Sequence, residues 1–152
     1  MAKTTTKPKT LNEVLNKQVA NWSVLYMKLH HYHWYVKGDS FFTLHVKFEE
    51  LYTEAALHLD VIAERLLARK GKPTATLQEQ LELSSVSEAK GSESASDMVK
   101  QLAADFELLA EELVEGIELA EESKDQPTAD MLISIRNSIE KHAWMLTSFL
   151  GK

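Results

Sequence analysis

The chain has no cysteine, and among its 152 residues only five are glycine and three proline. Without thiols there can be no disulfides, no cysteine-zinc sites and no thiol catalysis, so any metal must rest on His, Asp and Glu. The scarcity of turn-forming residues favours a few long helices over many short strands. Long apolar runs are also missing. No stretch approaches the ~20 apolar residues that cross a bilayer, and no apolar signal core follows Met1, so a cytoplasmic protein is expected. Positive charge is in the minority, with 17 Lys and Arg against 23 Asp and Glu and a formal net charge of -6. Such a balance offers no general surface for phosphate backbones, which are bound by clustered Lys and Arg.

What is present reads as one all-α domain with a sizeable core. Residues 1–10, with Lys3, Lys7, Lys9 and four Thr, have nothing to bury and read as a flexible N-terminal arm. Residues 11–152 form the domain. Leu15, Val19, Trp22, Tyr26, Leu29, His33 and Val36 recur at helical steps and predict a first helix ending near Gly38. Asp39 or Ser40 is the expected N-cap of a second helix from Phe41 to about Arg69, with Phe48, Tyr52, Ala55, Leu59, Ile62 and Leu66 inward. "KGKP" stops it. "TLQEQLEL" predicts a short extra helix in the link to a third, Ala95 to about Ser123, striped by Met98, Leu102, Phe106, Leu109, Leu113, Ile117 and Ala120. Pro127 suits the first turn of a fourth helix through Leu132, Ile135, Ile139, Ala143, Leu146 and Leu150. Four long helices with one longer link describe a four-helix bundle.

The chemistry concentrates in "LHHYHWYVKGDSFFTLH", residues 29–45. His33 falls on the inward stripe of the first helix. His30 and His31 are rotated about 100° and 200° from Leu29, toward solvent or a subunit contact. On the second helix His45 and Glu49 are four apart, as are Asp60 and Glu64, and one narrow stripe carries all four. His45 and Asp60 are nevertheless about 22 Å apart along a continuous helix. A second copy laid antiparallel across a two-fold axis between residues 54 and 55 removes that separation. His45 then faces Glu64 of the partner subunit, and Glu49 faces Asp60 of the partner subunit. Each of two identical clusters holds two imidazoles, counting His33, and three carboxylates, a set suited to iron or manganese and within reach of zinc. An intrachain di-iron site of the Glu-x-x-His type is disfavoured, because no Glu stands three residues before any of the six His. A bundle that uses the charged stripe only for dimer contacts, with no metal, is the plainer reading of the same pattern.

The combination His33-Trp34, His45, Glu49, Asp60 and Glu64-Arg65 resembles the signature of the Dps family, the DNA-binding proteins from starved cells, or bacterial mini-ferritins. The helix layout extends the likeness from about Leu11 to the C-terminus. The resemblance implies a ferritin-like homododecamer built on two-fold dimers. It further implies a ferroxidase that oxidises Fe(II), preferentially with hydrogen peroxide, stores Fe(III) mineral in its cavity, and so protects DNA and cell from oxidative damage. Its iron ligands would be His33, His45, Asp60 and Glu64, with one or two irons per site and Glu49 bound directly or through water. Trp34 and Tyr35 would adjoin the site as electron donors or as packing. Asp125 and Asp130, in "KDQPTAD", match the acidic three-fold pore of the family, with a helix N-cap as the other role for Asp125. Glu50 is a mineral-nucleation residue or part of a solvated face. Some members bind DNA through basic arms, which makes a DNA-compacting structural protein the alternative function, with association to the nucleoid. Here the arm has three Lys and no Arg, and twelve copies at -6 each carry -72, so DNA binding is expected to be weak or absent.

Overall fold

A computed structural model describes residues 10–152. It contains α1 (Leu11–Tyr35), α2 (Phe41–Ala68), α3 (Leu77–Leu83), α4 (Ala95–Glu122) and α5 (Gln126–Phe149). No strand occurs among the described residues, and none of their helices is long and apolar enough to cross a membrane. The expected arm lies outside the described residues except for Thr10, which is the N-cap of α1.

The helix starts follow local capping chemistry. Thr10 accepts from the Glu13 amide while the Glu13 carboxylate accepts from the Thr10 amide, and Ser94 and Asp97 repeat this box at α4. Asp125 caps α5, with proline in its first turn. The start of α2 differs from the expectation. Ser40 occupies the cap position, but at φ -98, ψ 15 its hydroxyl makes no capping bond. The turn is closed instead by the Phe41 amide donating to the Gly38 carbonyl at 3.0 Å, with Gly38 at φ 109, where glycine is at ease. The first helix also stops at Tyr35, short of Gly38, because Val36 is already extended at ψ 139.

The short turns at 36–40 and 123–125 fold α1 onto α2 and α4 onto α5, and the two pairs meet chiefly through α1 and α4. Trp22, Tyr32, Phe48 and Phe106 are the largest fully buried side chains. All seven residues of the α4 stripe are buried. On the other helices Tyr26, Tyr52, Leu59 and Leu150 sit at the edge of the core rather than inside it. The link holding α3 is tied to the bundle by polar contacts. Asn21 donates to Glu112 at 2.7 Å and accepts from the Ser85 amide at 2.8 Å.

Candidate functional site

The 36–40 turn brings the last helical turn of α1 against the first turns of α2, and with them His33 and His45. Their rings stack with centroids 3.7 Å apart and 15° between planes. The contact is reciprocal: His33 Nδ1 donates to the His45 carbonyl at 2.6 Å, and His45 Nδ1 donates to the His33 carbonyl at 2.7 Å. A carbonyl oxygen only accepts, so both Nδ1 atoms carry hydrogen. In each neutral ring the remaining lone pair is then on Nε2. Backbone carbonyls that fix tautomer and ring plane in this way are the usual support of a metal-binding imidazole.

Glu49 is exposed one turn beyond His45 and accepts from the Tyr52 hydroxyl at 3.4 Å. Asp60 and Glu64 are exposed further along the unbroken α2. The structure therefore unites His33 and His45, sets Glu49 on the adjoining turn, and leaves Asp60 and Glu64 about 22 Å or more along the axis. Among the described residues of one chain, no group of three His, Asp or Glu could hold a metal ion.

The remaining expected residues fall out unevenly. Trp34 and Tyr35 are 62% and 61% exposed, so neither packs in the core of the chain. His30 is half-buried rather than turned to solvent. Its Nδ1 donates to the Tyr26 carbonyl at 2.8 Å, and its ring stacks on Tyr52 of α2 at 3.7 Å. A helical wheel of α1 alone does not contain Tyr52, which is why rotation from Leu29 does not show what His30 packs against. His31 is half-buried beside the Tyr35 ring. Asp125 does cap α5, and its carboxylate is also gripped by Arg65 at 3.0 Å, by Arg69, and by the Thr128 hydroxyl at 2.6 Å. Burial raises its pKa, but the bonds from Thr128 and the arginines outweigh this and hold it below the usual range. Asp130 is exposed on α5, and Glu50 is exposed beside Lys47.

One polar cluster has no counterpart in the sequence reading. Glu54 of α2 accepts from His142 Nε2 at 2.7 Å and from the Ser138 hydroxyl at 2.8 Å, both on α5. His58 Nε2 lies 3.5 Å from the same carboxylate. Burial raises the Glu54 pKa, yet the bonds from His142, His58 and Ser138 bring it far below its ordinary value. The signal was two four-residue spacings, Glu54 with His58 and Ser138 with His142, each putting two polar groups on one helix face.

Residues 12–152 match the family described as the ferritin-like domain. General stress protein 20U of Bacillus subtilis is 58% identical over 141 residues, covering 93% of this chain and 97% of that protein. DNA protection during starvation protein 2 of Bacillus anthracis is 57% identical over 144 residues, covering 95% and 99%. The crystal structure of Dps from Staphylococcus aureus superposes with a TM-score of 0.91 at 50% identity, covering 92% of this chain and 94% of that one. On its fold, its matched length and these identities, the chain belongs to the ferritin-like family and, within it, to the Dps proteins.

Proposed function

We propose that this protein is a ferroxidase and iron-storage protein whose oxidation site is completed by a second copy across a two-fold axis. The observation that carries the reading is the stacked His33–His45 pair, with both Nδ1 atoms committed to carbonyls and both Nε2 atoms left to coordinate. Fe(II) is the substrate. His33 and His45 bind it from one subunit and Asp60 and Glu64 from the other, with Glu49 beside them. The carboxylates offset the charge of the cation, and the imidazoles hold it in fixed directions. Because ligand carboxylates must be ionised and imidazoles neutral to bind, oxidation slows in acid.

Hydrogen peroxide is the preferred oxidant in this reading. Two Fe(II) ions give one electron each, and with two protons the O–O bond is cleaved to two waters, so no hydroxyl radical leaves the site. Fe(III) is then hydrolysed and stored in the cavity of a dodecamer in the bacterial cytoplasm. DNA is protected because Fe(II) and peroxide are removed together. Asp130, exposed near the start of α5, lines the cation route by its negative field, whereas Asp125 is taken up by the helix cap and by Arg65 and Arg69.

The test is anaerobic loading with Fe(II) followed by peroxide. The expected result is about two irons oxidised per peroxide, as two one-electron donors require, with dioxygen a much slower oxidant. Replacing both His33→Gly and His45→Gly is expected to slow peroxide-dependent oxidation by at least the 10–100-fold of a lost supporting contact, with assembly intact by sedimentation. Unchanged kinetics in that variant would rule the site out.

A further inference from the structure

Tyr52 stands at the join of the half-site and belongs to no ligand set. It lies one turn after Glu49 on α2, and its hydroxyl donates to Glu49 Oε1 at 3.4 Å. That bond engages one carboxylate oxygen and leaves the other for a cation. The Tyr52 ring meets His33 edge-on, with centroids 5.4 Å apart and planes at 85°. Its opposite support is His30, stacked at 3.7 Å and 21°. His30 is fixed in turn by its Nδ1–H bond to the Tyr26 carbonyl and by edge contact with the Tyr26 ring at 4.5 Å. Tyr26 also touches Tyr52 edge-on at 6.1 Å. One tyrosine ring thus bridges a histidine ligand and a long, exposed carboxylate that would otherwise sample several rotamers at an entropic cost on binding.

Resting on the iron site proposed above, we infer that Tyr52, braced by His30, is a positioning residue for that site. Its ring edge holds the plane of His33 and its hydroxyl holds Glu49 in place to meet Fe(II). His30 acts through stacking alone. Side chains that orient metal ligands in this manner are worth 10–100-fold in affinity or activity.

Two probes read the effect on the assembled protein: anaerobic Fe(II) titration, and the visible absorption of bound Co(II), which reports coordination geometry. Tyr52→Phe keeps the ring and removes the hydroxyl. It is expected to raise the Fe(II) concentration for half-maximal peroxide-dependent oxidation about tenfold and to alter the Co(II) spectrum. The rate at saturating iron should change far less. In a Glu49→Ala background the same substitution should have no further effect, since the hydroxyl then has nothing to hold. His30→Ala should weaken binding, and His30→Phe, which keeps a flat ring, should restore it. Wild-type Fe(II) affinity and an unchanged Co(II) spectrum in Tyr52→Phe overturn the inference, as does a His30→Phe protein no better than His30→Ala. If the double His33→Gly, His45→Gly variant also binds Fe(II) normally, the iron site itself is wrong. Loss of binding there beside unaltered Tyr52→Phe binding refutes only the positioning role.

Discussion

Lys28 and Asp105 show how a single pair of charged residues can matter to the whole bundle without a hydrophobic signature. Lys28 Nζ and Asp105 Oδ2 are 2.6 Å apart between α1 and α4, with side chains only 2% and 5% exposed. Gln101 donates to the second Asp105 oxygen at 2.9 Å. Burial is the largest influence on Asp105 and pushes its pKa up against the opposing pull of Lys28 and Gln101. The pair is therefore held at a desolvation cost that attraction only partly offsets. Asp105→Ala strands an ammonium in the core and is expected to cost about 3–5 kcal/mol, whereas Lys28→Met with Asp105→Leu should be neutral or stabilising by up to about 4 kcal/mol. Denaturant unfolding of the three proteins, followed by circular dichroism, checks both. Lys28 is in step with the buried Asn21, Leu25 and Tyr32 of α1, yet a lysine there is not read as buried, because its burial depends on a partner 77 residues away. The meeting of His33 and His45 was easier to anticipate, since the two are joined by the short 36–40 turn and stack across it. Their tautomers were not legible, because these depend on carbonyls across the 36–40 turn. The bracing of Tyr52 by His30 was hidden in the same way.

At the level of elements, the start of α5 was readable from Asp125 and Pro127 because caps are local chemistry, whereas Thr10 and Ser94 cap their helices without having stood out in the sequence. The ends of α2 and α4 also fell within one residue of the expected Arg69 and Ser123, although not through a glycine cap. Both α2 and α4 finish on a lysine in the left-handed region, Lys70 at φ 66 and Lys124 at φ 56, where a glycine would be looked for. Gly71 serves a different need, since a Cβ there would come within 2.3 Å of the Leu66 side chain. The polar stretch before α4 showed no period at all, because side chains rather than a helical ladder hold it. Glu93 accepts from the Tyr32 hydroxyl at 2.7 Å and from the backbone N–H groups of Lys90 at 3.0 Å and Gly91 at 2.8 Å. Burial raises the Glu93 pKa, but these bonds outweigh it and bring it down to about 2. An unfolded glutamate titrates near 4.3, so the folded value is depressed and the stabilisation is complete only above about pH 4.3. It fades as pH falls toward the folded value. The thermal midpoint of Glu93→Gln should therefore lie below wild type at neutral pH, with the gap closing between about pH 4.3 and pH 2. A gap that stays constant over this range would assign the docking of this segment to something other than the ionised carboxylate.

At the scale of the whole molecule, α2 is used on two sides. Its inner face buries Phe48, Ala55, Ile62 and Leu66, and its outer face carries His45, Glu49, Asp60 and Glu64 together with Leu57, 67% exposed. Leu57 is joined by exposed Val46 and Val61 among the charged groups, and together they give that face a reason to be covered. The two-fold arrangement proposed above could be drawn from the sequence because a continuous helix fixes both the angle and the distance of every residue on it. Leu57→Asp separates the shared-site reading from one in which each chain binds iron alone. The substitution faces solvent within the chain, so the bundle should fold, with its far-UV circular dichroism retained. Two new carboxylates would stand near the axis between residues 54 and 55, beside acidic groups already there. Sedimentation should show a smaller species, and saturable Fe(II) binding should be lost with the assembly, because Asp60 and Glu64 of a second copy no longer reach His33 and His45. A dissociated protein that still binds Fe(II) with wild-type affinity would place the whole site within one chain and overturn the two-fold arrangement.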